Sequence, residues 1–306
     1  MTGSEMQGLG MPAHAKVNVF LRVLGRRDDG FHDIETLLLP ISLADHVRVE
    51  PADELSVCVE GSTAAGLPPD DANLALRAAR TLAAEAGGSG PTGARITIDK
   101  RIPVAAGLGG GSADAAATLL LLDELWSTGL GRDGLSRLAA EIGSDVPALL
   151  LGEAAYADGR GERAAAVLVQ STTWVVKPFA FGVSSADAYA WWDEDPATGP
   201  DPGALIAAAE AGNDALVGSA LANDLQGPVT ARHPEIAATV ETFVDAGAHG
   251  AVMTGSGPTV VALCSFAAAE DVAGSVPGAF VVEAPPRAPA PVRIDAGRET
   301  GPSGVV

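Results

Sequence analysis

The sequence predicts a two-domain protein built from both strands and helices, and three observations support this prediction. With 306 residues, the chain is long enough for two domains of ordinary size. Between Arg101 and Thr118, a short apolar run leads through a glycine loop into a helix rich in alanine and leucine. Beyond Ala164, short strand-like and helix-like segments alternate. We therefore expect a domain boundary near residue 165.

Hydrophobic periodicity assigns the elements of the first part. Helical spacing places Leu74, Ala78 and Leu82 on one face, and Ser144 is a candidate helix cap with Pro147 in the first turn. The predicted segments are strands at Val17 to Val23, Val47 to Glu50 and Glu54 to Glu60, a helix at Asn73 to Ala86, a strand at Arg95 to Lys100, the helix after the glycine loop, a helix at Asp133 to Ile142 and a hairpin at Gly152 to Glu162.

The second part and the two chain ends differ in pattern. Residues 1–10 are small and polar, and residues 285–306 are rich in proline and glycine, so we expect both ends to be disordered. The predicted segments between residues 166 and 284 are a strand at Thr173 to Lys177, a helix from Ser185, helices at Pro202 to Gly212 and Pro234 to Gly247, and a strand, glycine turn and strand at Ala248 to Cys264.

Composition excludes some classes of partner. The net charge of −20 argues against binding to nucleic acid or to an anionic membrane surface. The longest apolar stretch, Ala115 to Leu122, is much shorter than a membrane span, and the first residues do not resemble a signal peptide. Cys58 and Cys264 do not make a disulfide framework. We therefore expect a cytoplasmic protein with reduced thiols.

The glycine loop predicts a phosphate site. Gly107, Gly109, Gly110 and Gly111 stand within five positions, and without β-carbons the backbone N–H groups can point at one anion. The helix that begins near Ser112 adds unpaired N–H groups and the positive end of its dipole. No lysine follows the glycines, which excludes a P-loop, and their spacing excludes a GxGxxG dinucleotide loop. A flexible linker is the alternative.

A few charged residues are candidates for chemistry. The chain has three lysines, Lys16, Lys100 and Lys177, against sixteen arginines, which suggests that a lysine marks a place that needs a compact ammonium. Lys16 lies in an apolar strand pattern, where a charge is costly unless it is paired. His32 and Asp145 have simpler alternatives from local sequence, namely a surface-loop histidine and a helix-capping aspartate.

Several separated motifs occur in a recognisable order: AHAKVN, GRRDDGFHDIET, IPVAAGLGGGSADAA, GSDVP, GRGE, NDL and GAVMTGSGPTV. From Met11 to Cys264 they resemble the galactokinase, homoserine kinase, mevalonate kinase and phosphomevalonate kinase (GHMP) superfamily. The resemblance is greatest to the branch that uses ATP to phosphorylate the 2-hydroxyl of a cytidine-diphosphate-linked methylerythritol in the non-mevalonate isoprenoid pathway. Three positions depart from the pattern, since His14 replaces a proline, Phe31 a tyrosine and Ala113 a second serine.

The resemblance implies a two-domain α+β fold of the GHMP-kinase type. Its N-terminal, ATP-binding domain, at residues 11–165, would resemble domain 2 of ribosomal protein S5, and its C-terminal domain, at residues 166–284, would be ferredoxin-like. ATP and the acceptor would bind in the cleft between them. Asn223, Asp224 and the turn from Thr254 to Gly257 would form part of the cleft wall.

The resemblance also implies site residues. Asp145 would accept the proton of the attacking hydroxyl, and Lys16 would steady the nucleophile or the γ-phosphoryl oxygens. The Ser112 hydroxyl would lie near Mg²⁺. The residues implied for the nucleotide are Asn73, Lys100, Pro103, Ala105, Gly107, Leu108, Gly109, Gly110, Gly111 and Ser112. Those implied for the acceptor are Asn18, Phe31, His32, Asp145, Tyr189, Thr254 and Gly255, with Phe31, His32 and Tyr189 around the cytosine.

Two other functions stay open at the level of sequence. The same fold could phosphorylate another small alcohol, such as mevalonate or homoserine, or it could serve as a non-catalytic binding protein. The GFHDIET motif, with an aromatic side chain at Phe31, favours an acceptor that carries cytidine. Lys16, Asp145 and the complete glycine loop favour an enzyme over a binding protein.

Overall fold

The computed structural model describes residues 8–64, 72–87 and 93–294. None of the helices in these ranges is both long and apolar enough to cross a membrane. Both cysteines are unpaired, with Cys58 exposed and Cys264 buried.

The strands of the described residues form two sheets. In chain order they are β1 (Gly8–Arg26), β2 (His32–Pro51), β3 (Ser56–Glu60), β4 (Ala94–Asp99), β5 (Ala155–Gly159), β6 (Arg163–Ala166), β7 (Thr172–Lys177), β8 (Ala222–Asn223), β9 (Gly250–Met253), β10 (Val260–Cys264), β11 (Phe280–Ala284) and β12 (Val292–Ile294).

The helices occupy the segments between the strands. They are α1 (Leu74–Glu85), α2 (Gly110–Trp126), α3 (Gly131–Ile142), α4 (Val146–Leu151), α5 (Ser185–Glu194), α6 (Gly203–Glu210), α7 (Asp214–Ala220), α8 (Gln226–Thr230), α9 (Pro234–Asp245) and α10 (Ala269–Gly274). The sequence predictions of α1 to α6 and of α9 are confirmed, whereas the short α7, α8 and α10 were not predicted.

The first sheet is organised around two long strands. Strands β1 and β2 form an antiparallel pair at the centre of the order β12-β1-β2-β4-β3, and the β5–β6 hairpin extends the sheet from β2. Helices α1 to α4 cover one face and bury their apolar side chains against β1, β2 and β4. Helix α2 is apolar around most of its circumference, and it is accordingly the central helix of this layer.

The second sheet has the ferredoxin-like topology that the resemblance implies. Its order is β11-β7-β10-β9, so its four strands, counted along the chain, lie in the order 4-1-3-2. Helices follow the first and third of these strands, as in a β-α-β-β-α-β motif. A shared apolar core that includes Val17 and Phe20 of β1 and Trp174 of β7 joins the two sheets. The two-domain α+β fold is therefore confirmed.

The predicted disorder of the chain ends is wrong for the residues that the structure describes there. Gly8 to Gly10 pair with Val292 to Ile294, so the two ends form neighbouring antiparallel strands. Neither segment is long enough or regular enough to show a strand pattern by itself. Each satisfies backbone hydrogen bonds by pairing with the opposite end of the described chain. Residues 1–7 and 295–306 lie outside the described residues.

The predicted boundary near residue 165 separates the strands of the two sheets only in part. Strand β6 ends at Ala166 and β7, in the second sheet, begins at Thr172. Two later strands nevertheless return to the first sheet, since β8 pairs with β1 in parallel and β12 pairs with β1 in antiparallel orientation. The second part of the chain thus contributes directly to the sheet that carries Lys16.

Candidate active site

Lys16 lies in β1 with its charge buried, and three oxygens surround its ammonium. Nζ donates to Asn18 Oδ1 at 2.7 Å and to the carbonyl of Gly107 at 3.0 Å. Asp145 Oδ2 lies 3.3 Å from the same nitrogen. The pairing expected for a lysine in an apolar strand is therefore present, and it joins β1, the glycine loop and the start of α4.

The strand itself directs Lys16 and Asn18 to the same side. Residues two positions apart in a strand share a face, and the pairing of β1 with β2 shifts register between His14 and Lys16 and again between Asn18 and Phe20. Asn18 is buried and also donates to Thr36 Oγ1 at 2.7 Å. Asn18 therefore holds Lys16 in place.

Asp145 stands at the N-terminus of α4 but does not cap it. Its side chain makes no capping hydrogen bond, and its carboxylate faces Lys16 instead. The capping alternative for Asp145 is therefore wrong. The expectation that Ser144 is the cap is also wrong, because Asp145 occupies the N-cap position of α4. A carboxylate that is one-third exposed remains accessible to a ligand.

The glycine loop approaches Lys16 closely. Gly109 has φ +70°, and a β-carbon there would lie 2.9 Å from Lys16 Cγ and 3.0 Å from its Cε. Gly107 has φ +77°, and a β-carbon there would lie 2.8 Å from the carbonyl oxygen of Gly257. Ala105 also has a positive φ, of 55°. Only glycine at positions 107 and 109 leaves room for this packing.

A cavity of about 260 Å³ lies on one side of the loop, and it is called the nucleotide cavity below after the residues predicted for it. All ten residues implied for the nucleotide line it: Asn73, Lys100, Pro103, Ala105, Gly107, Leu108, Gly109, Gly110, Gly111 and Ser112. Asn73 also caps α1 by accepting from the N–H of Ala75 at 3.0 Å. The first turn of α2 presents its unpaired N–H groups at this cavity.

Lys100 has a different environment from the one the resemblance implies. Its ammonium is buried between two carboxylates, donating to Asp45 and, at 2.8 Å, to Asp114 Oδ2. Asp45 also accepts from the N–H groups of Arg101 at 2.6 Å and Ile102 at 2.9 Å. Lys100 therefore lines the cavity while donating to two carboxylates, and these bonds fix the strand-to-loop junction and the first turns of α2.

This buried cluster has two carboxyl groups and one ammonium, and Asp114 is the carboxyl whose protonated form burial favours. Burial raises the pKa of Asp114 to about 7, and Asp45 adds to the effect, although Lys100 opposes it. Its Oδ1 is buried and has no hydrogen-bond partner among the described residues. Burial lowers the pKa of Lys100, but its two carboxylate partners reverse this, so that pKa lies above its usual value.

A second cavity, of about 710 Å³, lies on the other side of the loop. Gly107, Gly109 and Ser112 line both cavities, so the loop is the wall between them. The predicted catalytic residue Lys16 lines the second cavity. Predicted acceptor residues that also line it are Asn18, Phe31, His32, Asp145, Tyr189 and Gly255. The structure therefore brings the nucleotide-side and acceptor-side candidates together around one loop.

His32 lines this second cavity, which is called the acceptor cavity below after the residues predicted for it. Its ring stacks on Tyr189, with centroids 4.7 Å apart, and its Nε2 lies 2.8 Å from Asp193 Oδ1. The surface-loop alternative for His32 is wrong, because only 9% of the residue is exposed. Phe31, by contrast, is 51% exposed, and the guanidinium of Arg160 lies 4.9 Å from its ring centroid.

Thr254 does not line the acceptor cavity, which corrects the sequence prediction. It is fully buried, and its Oγ1 accepts from the N–H of Asn18 at 2.6 Å. Asn223 holds the same turn by donating to the carbonyls of Met253 at 2.6 Å and Gly255 at 2.8 Å. Asp224 accepts from the N–H of Val23 at 2.8 Å. Thr254 therefore joins the turn to β1 and Asn223 holds the turn's backbone, whereas Asp224 bonds to β1 itself. Gly255 alone of the two predicted turn residues reaches the cavity.

Sequence reasoning missed several residues at the site. Arg26, Arg160 and Asp193 line the acceptor cavity, and Asp45 anchors Lys100. Asp193 follows Tyr189 by four positions on α5, so helical periodicity could have identified it. No local signal distinguishes Asp45 from other surface-type aspartates.

Comparisons with known proteins agree with this geometry. Residues 73–153 match the family model for the GHMP kinases N terminal domain, and residues 205–282 match that for the GHMP kinases C terminal domain. A 4-diphosphocytidyl-2-C-methyl-D-erythritol kinase from Nocardia farcinica is 45% identical over 287 residues, covering 92% of this chain and 93% of its own. One of the same name from Kineococcus radiotolerans is 44% identical, covering 87% and 84%.

Solved structures show the same relationship. A crystal structure of 4-(cytidine 5'-diphospho)-2C-methyl-D-erythritol kinase matches with a TM-score of 0.76 and 35% identity, covering 90% of this chain and 99% of that one. A homoserine kinase from Cytophaga hutchinsonii has a TM-score of 0.75 but only 18% identity, over 95% and 99%, and shows the fold alone. The chain therefore belongs to the GHMP kinases, a family of small-molecule kinases, and within it to the group of 4-diphosphocytidyl-2-C-methyl-D-erythritol kinases.

Proposed function

We propose that this kinase transfers the γ-phosphoryl group of ATP to the 2-hydroxyl of 4-diphosphocytidyl-2-C-methyl-D-erythritol. The observation that carries this proposal is the glycine loop that separates two cavities, with Lys16 and Asp145 beside it. A phosphoryl donor on one side and an alcohol on the other would meet at this wall. The names of the similar proteins support the choice of acceptor.

Asp145 is the base in this proposal. It accepts the proton of the attacking hydroxyl as that oxygen forms its bond to the γ-phosphorus of ATP. The bond between the γ-phosphorus and the β,γ-bridging oxygen breaks, and ADP leaves. Phosphoryl transfer passes through a loose transition state, so a well-positioned carboxylate is sufficient and a strong base is not required. Partial exposure to the acceptor cavity gives the hydroxyl access to this carboxylate.

Lys16 is the electrostatic partner in this proposal. Its ammonium lies 3.3 Å from Asp145 and 3.0 Å from the carbonyl of Gly107, a loop residue that lines both cavities, so it lies beside the point where the phosphoryl donor and the alcohol would meet. A buried ammonium, held by Asn18, neutralises negative charge that develops on the transferring phosphoryl oxygens without needing to reorganise. This need is strong in a chain with a net charge of −20.

ATP would bind with its phosphates on Gly107 to Ser112, along the N–H groups at the start of α2. The donor set also fits Mg²⁺, because this ion takes most of its ligands from phosphates and water, and the Ser112 hydroxyl lies where the two cavities meet. When bound, the ion would neutralise phosphate charge. Ser112 is the residue that would hold it.

The acceptor's cytosine would bind among Phe31, His32 and Tyr189. Stacked aromatic rings and a histidine beside a carboxylate provide a flat face and polar edges for a pyrimidine. We further infer a cytoplasmic enzyme, because both cysteines are unpaired thiols.

A coupled assay of ADP release tests the proposal with three acceptors: 4-diphosphocytidyl-2-C-methyl-D-erythritol, mevalonate and homoserine. We expect kcat/KM for the cytidine-bearing acceptor to be higher by at least about 100-fold, because unsatisfied polar groups in the cleft would reject the smaller alcohols. Faster ADP release with mevalonate or homoserine would overturn the choice of acceptor. ADP release with none of the three would overturn the proposed reaction.

A further inference from the structure

The acceptor cavity has few cations that are able to bind a ligand. Among the described residues, the lysine and arginines that line it are Lys16, Arg26 and Arg160. The ammonium of Lys16 is surrounded by three protein oxygens. Arg26 is paired with Asp193 at 3.4 Å, and its side chain is 63% exposed. Two carboxylates, Asp145 and Asp193, line the same cavity and repel an anionic ligand.

Arg160 differs from both other cations. It lies in the turn between β5 and β6, where its backbone N–H donates to Glu162 Oε2 at 2.6 Å. Its guanidinium stacks over Phe31 at 4.9 Å and approaches Glu162 Oε1 only at 3.8 Å through Nε. In the part of the chain that the structure describes, the guanidinium makes no hydrogen bond to protein. Its donors are therefore available on the cavity side.

The position of Arg160 within the cavity matches one part of the acceptor. At one side it contacts Phe31, at the cytosine end. At the other side the chain continues into Gly161, whose added β-carbon would lie 3.6 Å from Cβ of Ser144, the residue before Asp145. In the acceptor, the diphosphate lies between the cytidine and the methylerythritol that carries the attacked hydroxyl. Arg160 thus neighbours Phe31 on one side and, through Gly161, the segment that carries Asp145 on the other.

We propose that Arg160 binds the diphosphate of the acceptor and thereby selects alcohols linked to cytidine diphosphate over uncharged alcohols. This inference rests on the proposed function and adds a specificity residue to it. A guanidinium offers paired N–H donors that match two phosphate oxygens, whereas an ammonium acts as a point charge. Stacking on Phe31 holds the group in place before the acceptor arrives, which reduces the entropy lost on binding.

A ligand series tests this proposal in the complete protein. Dissociation constants for cytidine, CMP and CDP are measured with a saturating non-hydrolysable ATP analogue, which keeps the probes out of the nucleotide cavity. The variants are Arg160→Gln and Arg160→Lys. The matched control is Arg163→Gln, because Arg163 lies on the same hairpin, is 68% exposed, pairs with Asp158 and does not line the cavity.

We expect Arg160→Gln to weaken CDP binding by about 10- to 100-fold, the range for hydrogen bonds to a charged group, and cytidine binding by less than about 3-fold. Arg160→Lys should restore part of the loss for CDP. The KM for ATP should not change, and the salt dependence of CDP binding should become weaker because one phosphate contact is lost. Arg163→Gln should match the parent chain throughout.

Two results would overturn the proposal. An equal loss for cytidine, CMP and CDP would show that Arg160 only braces Phe31, and an unchanged CDP affinity would show no contact at all. Failure of the proposed function is separate from both, because it would appear as absent ADP release from the unsubstituted chain with the cytidine-bearing acceptor.

Discussion

The two cavities beside the glycine loop are built in opposite ways. The nucleotide cavity, of about 260 Å³, takes most of its lining from one continuous stretch, residues 98–114, together with the start of α1. The acceptor cavity, of about 710 Å³, collects side chains from β1, β2, the loop, the start of α4, the β5–β6 turn, α5 and the β9–β10 turn. Charge also differs, because the nucleotide cavity buries its ions beneath the wall, whereas the acceptor cavity exposes several of them.

This difference explains what each cavity can recognise. A loop of backbone N–H groups suits phosphate, which many nucleotides share, and it needs only glycines and a helix start. Selecting one alcohol requires several side chains at fixed distances, and segments far apart in sequence supply them. We therefore expect substitutions on the two sides to separate the kinetic constants of the two substrates.

The largest expected effect comes from Asp145, on the acceptor side. Asp145→Asn should lower kcat by roughly two to four orders of magnitude, the usual scale for a lost general base, and leave the affinity for ATP almost unchanged. Steady-state ADP release and ATP-analogue titration measure both quantities. Asp133→Asn is the control, because Asp133 is exposed on α3. A normal kcat for Asp145→Asn would remove Asp145 from the mechanism.

A pair of glycine substitutions tests the wall itself. In Gly109→Ala, the new methyl would lie 2.9 Å from Lys16 Cγ at φ +70°, so Lys16 or the loop must move and kcat should fall by about 100-fold. The control is Gly227→Ala, because Gly227 is exposed on α8, lines neither cavity and would place its methyl in open space, so kcat should stay within about 3-fold. Similar kcat values for the two variants, in proteins of equal Tm, would contradict this account of the wall.

A smaller effect is expected at the cytosine end. His32→Ala removes a ring that stacks on Tyr189 and contacts Asp193, so the KM for the cytidine-bearing acceptor should rise by about 10-fold while the KM for ATP stays constant. Phe31→Tyr should be tolerated because the stacking face remains. His233→Ala is the control, since His233 stacks on Phe181 outside this cavity. An effect of His32→Ala on ATP alone would contradict the assignment.

The last test concerns stability rather than turnover, and it uses the ions beneath the nucleotide cavity. Because the folded pKa of Asp114 is raised to about 7, the folded state holds a proton between about pH 4 and pH 7 that the unfolded state releases. The free energy of unfolding should therefore fall as pH rises through this window, by on the order of 1 kcal/mol per pH unit at most from this group.

Urea unfolding at several pH values measures this slope. Asp114→Asn should lack the contribution. The free energy of unfolding of the parent chain minus that of the variant should therefore decrease steadily from pH 4 to pH 7. Asp133→Asn, at an exposed position, should retain the slope of the parent chain. A difference that does not change with pH would mean that Asp114 is ionised throughout.

The sequence alone determined the nucleotide side of the site. The glycines, the helix start and the strand before them are neighbours in the chain, and a local pattern is enough to specify their backbone conformation. The buried Lys16 was recognisable as well, because an ammonium in an apolar strand must have a partner. The motifs also identified the family.

The tertiary structure decided the remainder. The capping alternative for Asp145 and the surface alternative for His32 could be rejected only when Lys16 and Asp193 were found beside them. Thr254 proved to be a buried support, and Lys100 proved to lie between Asp45 and Asp114. Residues 8–10 and 292–294, which belong to the segments predicted to be disordered, pair with each other. The physical reason is the same in each case, since a local pattern fixes backbone conformation, whereas the partner that gives a charged or polar group its role is brought near only by packing.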